Sequence, residues 1–150
     1  MSEPDLSHVR AMWEADEASR ALGIEVLGVG VDTSGPAALG HARTRMPVLQ
    51  TMVNGHDIAH GGYIFTLADS TFALACNATG QLTVAAGADI TYVAPGRLGD
   101  VLVAEARERA RYGRSGITDV TVFRESDGAV IAEFRGRSRS LPTPPPEVSR

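Results

Sequence analysis

The sequence predicts an α+β domain in which an antiparallel sheet curves around one long central helix. Three observations carry this expectation. Residues 62–79, GYIFTLADSTFALACNAT, are the longest helical run and are apolar almost all round, which calls for burial. Four strand-like runs follow in succession, separated by turn residues. Little else in a chain of 150 residues could cover the helix, so the sheet must wrap it.

Taken in order, residues 7–22 (SHVRAMWEADEASRAL) read as one N-terminal helix with Ser7 as N-cap and Gly23 past its end. Its apolar face is Val9, Met12 and Trp13. Strands are expected near 24–31 and 37–45, with Gly35-Pro36 turning the chain between them. Residues 46–61 read as a loop with one helical turn after Pro47. Gly80 suits the left-handed position that closes the long helix. The later strands fall near 82–94, 100–111, 117–126 and 129–140, and Asp127-Gly128 fits a tight hairpin. Residues 1–140 form a single domain, and the Pro-rich tail LPTPPPEVSR, residues 141–150, is expected to be disordered. The edges of so small a sheet favour pairing with a second copy.

Composition removes several classes. The net charge is −4 and all fourteen basic residues are arginine, so no global field attracts nucleic acid. Cys76 is the only cysteine, which rules out an intrachain disulfide or a thiolate metal cluster. The opening MSEPDLSHVR has no apolar signal region, and no run approaches a membrane span. A soluble cytoplasmic protein without membrane partners is the expectation.

Within NGHDIAHGGYIFTLAD, residues 54–69, an acid falls inside the apolar helix. On a helix Asp69 neighbours Phe65, Thr66, Phe72 and Ala73, and burial there favours the neutral acid. That suits a general base working near neutrality. It also suits a polar residue bonded to a strand, or one on a thin solvent face with Ser70. Gly61 and Gly62 at the helix start leave backbone N–H groups free to polarise a carbonyl, or they make a tight turn. His56 and His60 have zinc-like spacing, but the glycines oppose a helix there and the H-E-x-x-H sequence is missing, so no metal and no cofactor is expected. His60 could donate to substrate or lock the loop, and Asn54 offers donor and acceptor or simply a turn. Arg107, Arg109 and Arg111 alternate, as do Arg135, Arg137 and Arg139. On strands each set shares a face, for phosphate or for solvent.

As a whole, NGHDIAHGGYIFTLAD resembles the signature of the hotdog-fold thioesterases of the phenylacetic-acid-degradation (PaaI) type. FALACNATG, ITYVAPGRLGD and FRGRSRS extend the resemblance over about residues 8–140. It implies a hotdog fold and hydrolysis of acyl-CoA, with phenylacetyl-CoA and hydroxyphenylacetyl-CoA as leading substrates. It implies Asp69 as catalytic acid, Gly61 as backbone donor, and Asn54 and His60 as supporting polar residues. Whether Asp69 activates water or attacks the carbonyl stays open. Where relatives place a Ser or Thr after the helix stand Ala85 and Ala86, with Thr83 as a substitute. Gly62, Thr83, Arg97 and Arg137 are the expected substrate-binding residues. The assembly implied is a homodimer with interfacial sites, paired again into a homotetramer. Two rivals remain. An enoyl-CoA hydratase or dehydratase would need the absent loop G-D-x-N-P-x-H. A non-catalytic acyl-CoA-binding or sensing domain would not need Asp69.

Overall fold

The computed structural model describes residues 3–142, so most of the Pro-rich tail, residues 143–150, lies outside the described residues. Leu141, at the start of that tail, is tied to the sheet: its N–H donates to the Leu82 carbonyl at 2.8 Å. The elements run α1 (Ser7–Glu14), α2 (Glu17–Ala21), β1 (Glu25–Asp32), β2 (Leu39–Pro47), a 3-10 turn (Gln50–Met52), α3 (Gly61–Asn77), β3 (Thr83–Tyr92), β4 (Val101–Tyr112), β5 (Ser115–Arg124) and β6 (Val130–Ser140). All six strands form one antiparallel sheet in the order β1-β2-β4-β5-β6-β3. β3 therefore pairs with β6 at one edge, and residues 93–100 carry the chain back to β4 in the interior. This is the hotdog arrangement, α3 lying against the concave side of the sheet.

Period-two patterning fixes which side each strand presents. Along β6, Ala132, Phe134, Gly136, Ser138 and Ser140 are buried, while Glu133, Arg135, Arg137 and Arg139 are exposed. Gly136 is glycine because the buried Phe72 ring lies on it: a β-carbon there would come within 2.6 Å of the ring. Phe134 meets Phe65 edge-on at 5.3 Å and Phe72 at 5.8 Å. Ile64, Leu67, Ala68, Thr71, Phe72 and Leu74 form the buried face of α3. Thr71 donates to the Leu67 carbonyl and lies 2.7 Å from the Thr44 hydroxyl, so Thr44 must be the donor between them.

Several expectations need correction. The N-terminal helix is two helices, because Asp16 leaves the helical region and caps α2 by accepting the Ser19 N–H at 2.9 Å. Ser7 is no N-cap: Leu6 holds that position, and the Ser7 N–H donates to Asp5. Gly80 is left-handed at φ +93° but stands beyond the Ala78 cap, with Thr79 between. The Asp127-Gly128 hairpin holds four residues, 125–128, between the bonded Arg124 and Ala129, and the two-residue turn is Gly113-Arg114 instead. β1 is bulged at Leu27, between Val26 and Gly28.

The alternation of Arg107, Arg109 and Arg111 also fails. A bulge between Glu108 and Ala110 inserts Arg109 and reverses the register after it. Arg111 thus turns to the α3 side, where it donates to buried Glu108 at 2.8 Å and to the Cys76 carbonyl at 2.8 Å. Glu108 also accepts the Gly40 N–H at 3.1 Å.

Nor is α3 covered on every side. Thr66, Asp69 and Ala73 form a half-open stripe leading from the exposed Gly62. The sheet wraps one side of the helix, and α1 and α2 reach only part of the other.

Candidate active site

Two ends of one stripe are the candidates for chemistry: the start of α3 and Asp69. The loop before α3 is held by its own backbone. Asn54 Oδ1 accepts the N–H groups of His56 at 2.9 Å and Ile58 at 3.2 Å. Its backbone N–H donates to the Ile58 carbonyl at 2.9 Å. This closed turn places Asp57 at φ +57°. The loop is zipped to residues 96–98, with Ala59 N–H on the Gly96 carbonyl at 2.8 Å and Leu98 N–H on the Asp57 carbonyl at 3.0 Å. His60 N–H donates to the Met52 carbonyl at 2.9 Å, which sets the angle at which the chain enters the helix.

His60 is the N-cap residue, and its side chain caps nothing. Among the described residues the N–H groups of Gly61 and Gly62 have no partner. They lie at the positive end of α3, where an oxygen gaining negative charge is stabilised. The Tyr92 hydroxyl donates to the Gly61 carbonyl at 2.8 Å, and a β-carbon on Gly61 would lie 2.6 Å from the Tyr92 ring. Ile58, Ile64, Tyr92, Val93 and Ala94 line a cavity of about 360 Å³ beside Gly61. Another apolar groove, about 280 Å³, lies between α1 and β1 next to Trp13, and neither Asp69 nor the glycines line it.

Asp69 is half-buried, and its carboxylate makes no hydrogen bond among the described residues. Burial raises its pKa above the usual carboxylate range, and the nearby negative charge of Asp16 raises it further. A strand-bonded structural acid would have a partner, so that alternative finds no support. Asp69 does lie on a half-open face, but without Ser70, which is buried with its hydroxyl 2.8 Å from that of Ser19.

The other expected residues separate. Asn54 spends its oxygen on the loop, leaving only its NH₂ for a ligand. His60 and Arg97 are exposed. Among the described residues the Arg97 guanidinium makes no ion pair, whereas Arg137 is held by Asp89 at 3.0 Å. Thr83 lies past the far end of α3. Its hydroxyl donates to the Gln81 carbonyl at 2.8 Å, and Asn77 grips its backbone at both N–H and C=O. Cys76 is no nucleophile: burial pushes its thiol up to about 12. No group of three or more His, Cys, Asp or Glu among the described residues could hold a metal ion.

Sequence reasoning missed Tyr92 and the Asp16–Ser19–Ser70 chain. The D-x-x-S spacing of a helix cap was legible for Asp16 and Ser19, within a run read as one helix. Nothing local signals that Tyr92 reaches back 31 residues to Gly61.

The described geometry agrees with comparisons to known proteins. Residues 56–131 match the family model for the thioesterase superfamily. The chain is 36% identical over 141 residues to the acyl-coenzyme A thioesterase PaaI of Escherichia coli K12, covering 94% of each protein. The solved E. coli PaaI structure superposes with a TM-score of 0.81 at 34% identity, covering 92% of this chain and 97% of that one. A Streptococcus mutans protein solved with acetyl-CoA bound matches at TM-score 0.64 and 30% identity, over 67% of this chain and 81% of its own.

Proposed function

Because the chain belongs to the thioesterase superfamily, we propose that it hydrolyses acyl-CoA thioesters to free acid and CoA. Aryl-acetyl esters such as phenylacetyl-CoA and hydroxyphenylacetyl-CoA are the first substrates to test. One observation carries the reading: among the described residues, a half-buried acid without a hydrogen-bond partner sits on the same helix whose N-terminus leaves two N–H groups free.

In this reading the thioester carbonyl oxygen takes the N–H of Gly61, with Gly62 beside it. Asp69 then either removes a proton from water attacking the carbonyl carbon or attacks that carbon itself, and the CoA thiolate leaves. The Asn54 NH₂ group and His60 support the acyl end, while Arg97, with Arg137 further off, meets the phosphates of CoA. Thr83 is already committed to holding the start of β3 and has no assigned part in binding.

Both groups cannot serve one carbonyl from the same chain. Asp69 lies eight residues beyond Gly61, roughly 12 Å along a straight helix. Groups acting on one reacting centre must each lie about 3 Å from it. A two-fold dimer with α3 helices antiparallel brings the start of one helix opposite the middle of its partner. The half-open Thr66–Asp69–Ala73 stripe and the unpaired edge of β3, with Val84 and Tyr92 exposed, are the surfaces such a dimer would cover. A dimer of dimers completes the proposed assembly. We read residues 1–140 as one catalytic unit. No helix among the described residues is long and apolar enough to cross a membrane, and a cytoplasmic location is part of the proposal.

The test is steady-state hydrolysis of a panel of aryl-acetyl, straight-chain and enoyl-CoA esters, followed by CoA release. Release from at least one class, abolished in Asp69→Asn, is expected. Tight acyl-CoA binding without turnover would point to a binding domain instead.

A further inference from the structure

A second carboxylate stands behind Asp69 on a different element, and a chain of hydroxyls connects it to α3. Asp16 caps α2: its Oδ1 accepts the Ser19 N–H at 2.9 Å, and its Oδ2 accepts the Ser19 hydroxyl at 2.6 Å. Ser19 Oγ lies 2.8 Å from Ser70 Oγ. Ser19 has one hydroxyl proton and gives it to Asp16, so Ser70 must donate to Ser19. The chain therefore has one direction, Ser70 to Ser19 to Asp16, set by the anion at its end. Ser19 and Ser70 are both buried, at 1% and 9% exposure. Ser70 is the residue next to Asp69.

We propose that Asp16 is a positioning residue for hydrolysis. Through Ser19 and Ser70 it docks α2 onto α3 beside Asp69, and it sets a second carboxylate behind that acid. This rests on the reading of Asp69 as base or nucleophile. A like charge nearby makes a carboxylate hold its proton more strongly, so Asp69 becomes a stronger base for the water it must deprotonate. The direction of the Asp69 shift agrees, burial coming first and Asp16 second.

On α2 itself Glu17 and Arg20 are exposed, Arg20 donating to the Glu14 carbonyl of α1; the charged or titratable groups of the other elements lie further off. On α1, His8 bonds Asn77 at 3.0 Å, at the end of the helix. The Glu108–Arg111 pair of β4 lies against the Cys76 carbonyl, near that same end. Cys76 itself stands two turns beyond Asp69 and stays protonated. β2, β5 and β6 turn neutral residues inward, among them Thr44, Thr118, Val120, Phe134 and Ser138. On β3 the charged residue is Asp89, which is exposed and paired with Arg137.

Asp16→Asn removes the charge and keeps both links: its amide oxygen still caps α2, and its NH₂ donates to Ser19 Oγ, so the hydroxyl chain reverses and Ser19 donates to Ser70. The pH profile of kcat/KM on an acyl-CoA ester is measured for wild type, Asp16→Asn, Asp16→Ser and Asp69→Asn. Removing the charge should move the acid limb to lower pH, so the ratio of Asp16→Asn to wild-type kcat/KM rises as pH falls. The change should lie in kcat, with KM near wild type. Asp16→Ser keeps a cap without the charge and carries the same readout should Asp16→Asn not fold. A loss that is constant across pH, or a limb that does not move in either folded variant, overturns the proposal. Turnover in Asp69→Asn would instead overturn the reading on which it rests. An inactive Asp69→Asn alongside an unmoved Asp16→Asn profile removes the role of Asp16 alone.

Discussion

The Tyr92 hydroxyl donates to the Gly61 carbonyl, so the tyrosine ring occupies the space into which any side chain at position 61 would project. Position 61 is therefore glycine for a packing reason. Gly61→Ala should displace the half-exposed Tyr92 ring and break the same bond that Tyr92→Ala removes. The two changes should be non-additive in kcat/KM, with a coupling of about 0.5–3 kcal/mol in a double-mutant cycle. Strict additivity would mean that the ring and the glycine act independently.

Asp69→Asn should lower kcat at least about a hundredfold, the lower range for acid–base catalysis. It should also stabilise the fold at neutral pH. Burial, and then Asp16, raise the Asp69 pKa in the folded state. The folded protein thus binds this proton more tightly than the unfolded chain does. Stability from Asp69 is full below the ordinary carboxylate pKa and is lost as pH rises through the raised value. Asparagine avoids that loss. The melting temperature of Asp69→Asn should exceed wild type at pH 7, with the gap closing as pH falls below the ordinary carboxylate range. A melting temperature below wild type at pH 7 would contradict the assignment of Asp69 as a destabilised functional acid.

Subunit complementation tests the two-chain site. Gly61→Pro removes the proposed donor, and Asp69→Asn removes the acid. Each homodimer should be nearly inactive. Mixed equally, unfolded and reassembled, they should recover about a quarter of wild-type activity if pairing is random and the sites are independent. With hybrids confirmed by native mass spectrometry and Gly61→Pro shown to be folded, activity that stays near zero would place both groups in one chain.

Among the described residues the exposed Arg97 guanidinium makes no ion pair, while Arg137 is already paired with Asp89. Arg97→Gln should raise KM for acyl-CoA roughly two- to fivefold, the range of an exposed ion pair, and leave kcat near wild type. Its KM should depend less on salt than the wild-type value. A short thioester lacking the nucleotide should show neither effect. The same change with both substrates would mean that Arg97 acts on the loop and not on phosphate.

The fold was legible wherever side-chain period decides structure. α3 was expected at 62–79 and runs Gly61–Asn77, and each strand lies within a few residues of its expected span. The pattern could not show bulges, because one inserted residue leaves local composition unchanged while reversing every later side chain. Arg111 was misplaced for that reason. The break at Asp16 was missed because Glu14, Ala15 and Glu17 are all good helix formers, and only the Asp16 cap betrays it. In the candidate site, the half-buried acid on α3 and the glycines at its start were readable as structural features from residue type and spacing. Contacts between distant segments, such as Tyr92 to Gly61 or Ser19 to Ser70, depend on how the elements dock. A single sequence carries no local trace of them.

The bulge at Leu27 bears on what this molecule avoids becoming. Its sheet has two open edges, β3 and β1. If both were straight, strands could be added at either end, and association would propagate into a filament. β1 is interrupted between Val26 and Gly28 and carries glycine again at 30, so its outer edge is kinked and offers a poor template. β3 is bulged too, between Ala85 and Gly87, so its regular stretch is Gly87–Tyr92, and a contact made by that stretch with its own two-fold copy closes upon itself. Irregularity at both edges thus keeps self-association finite.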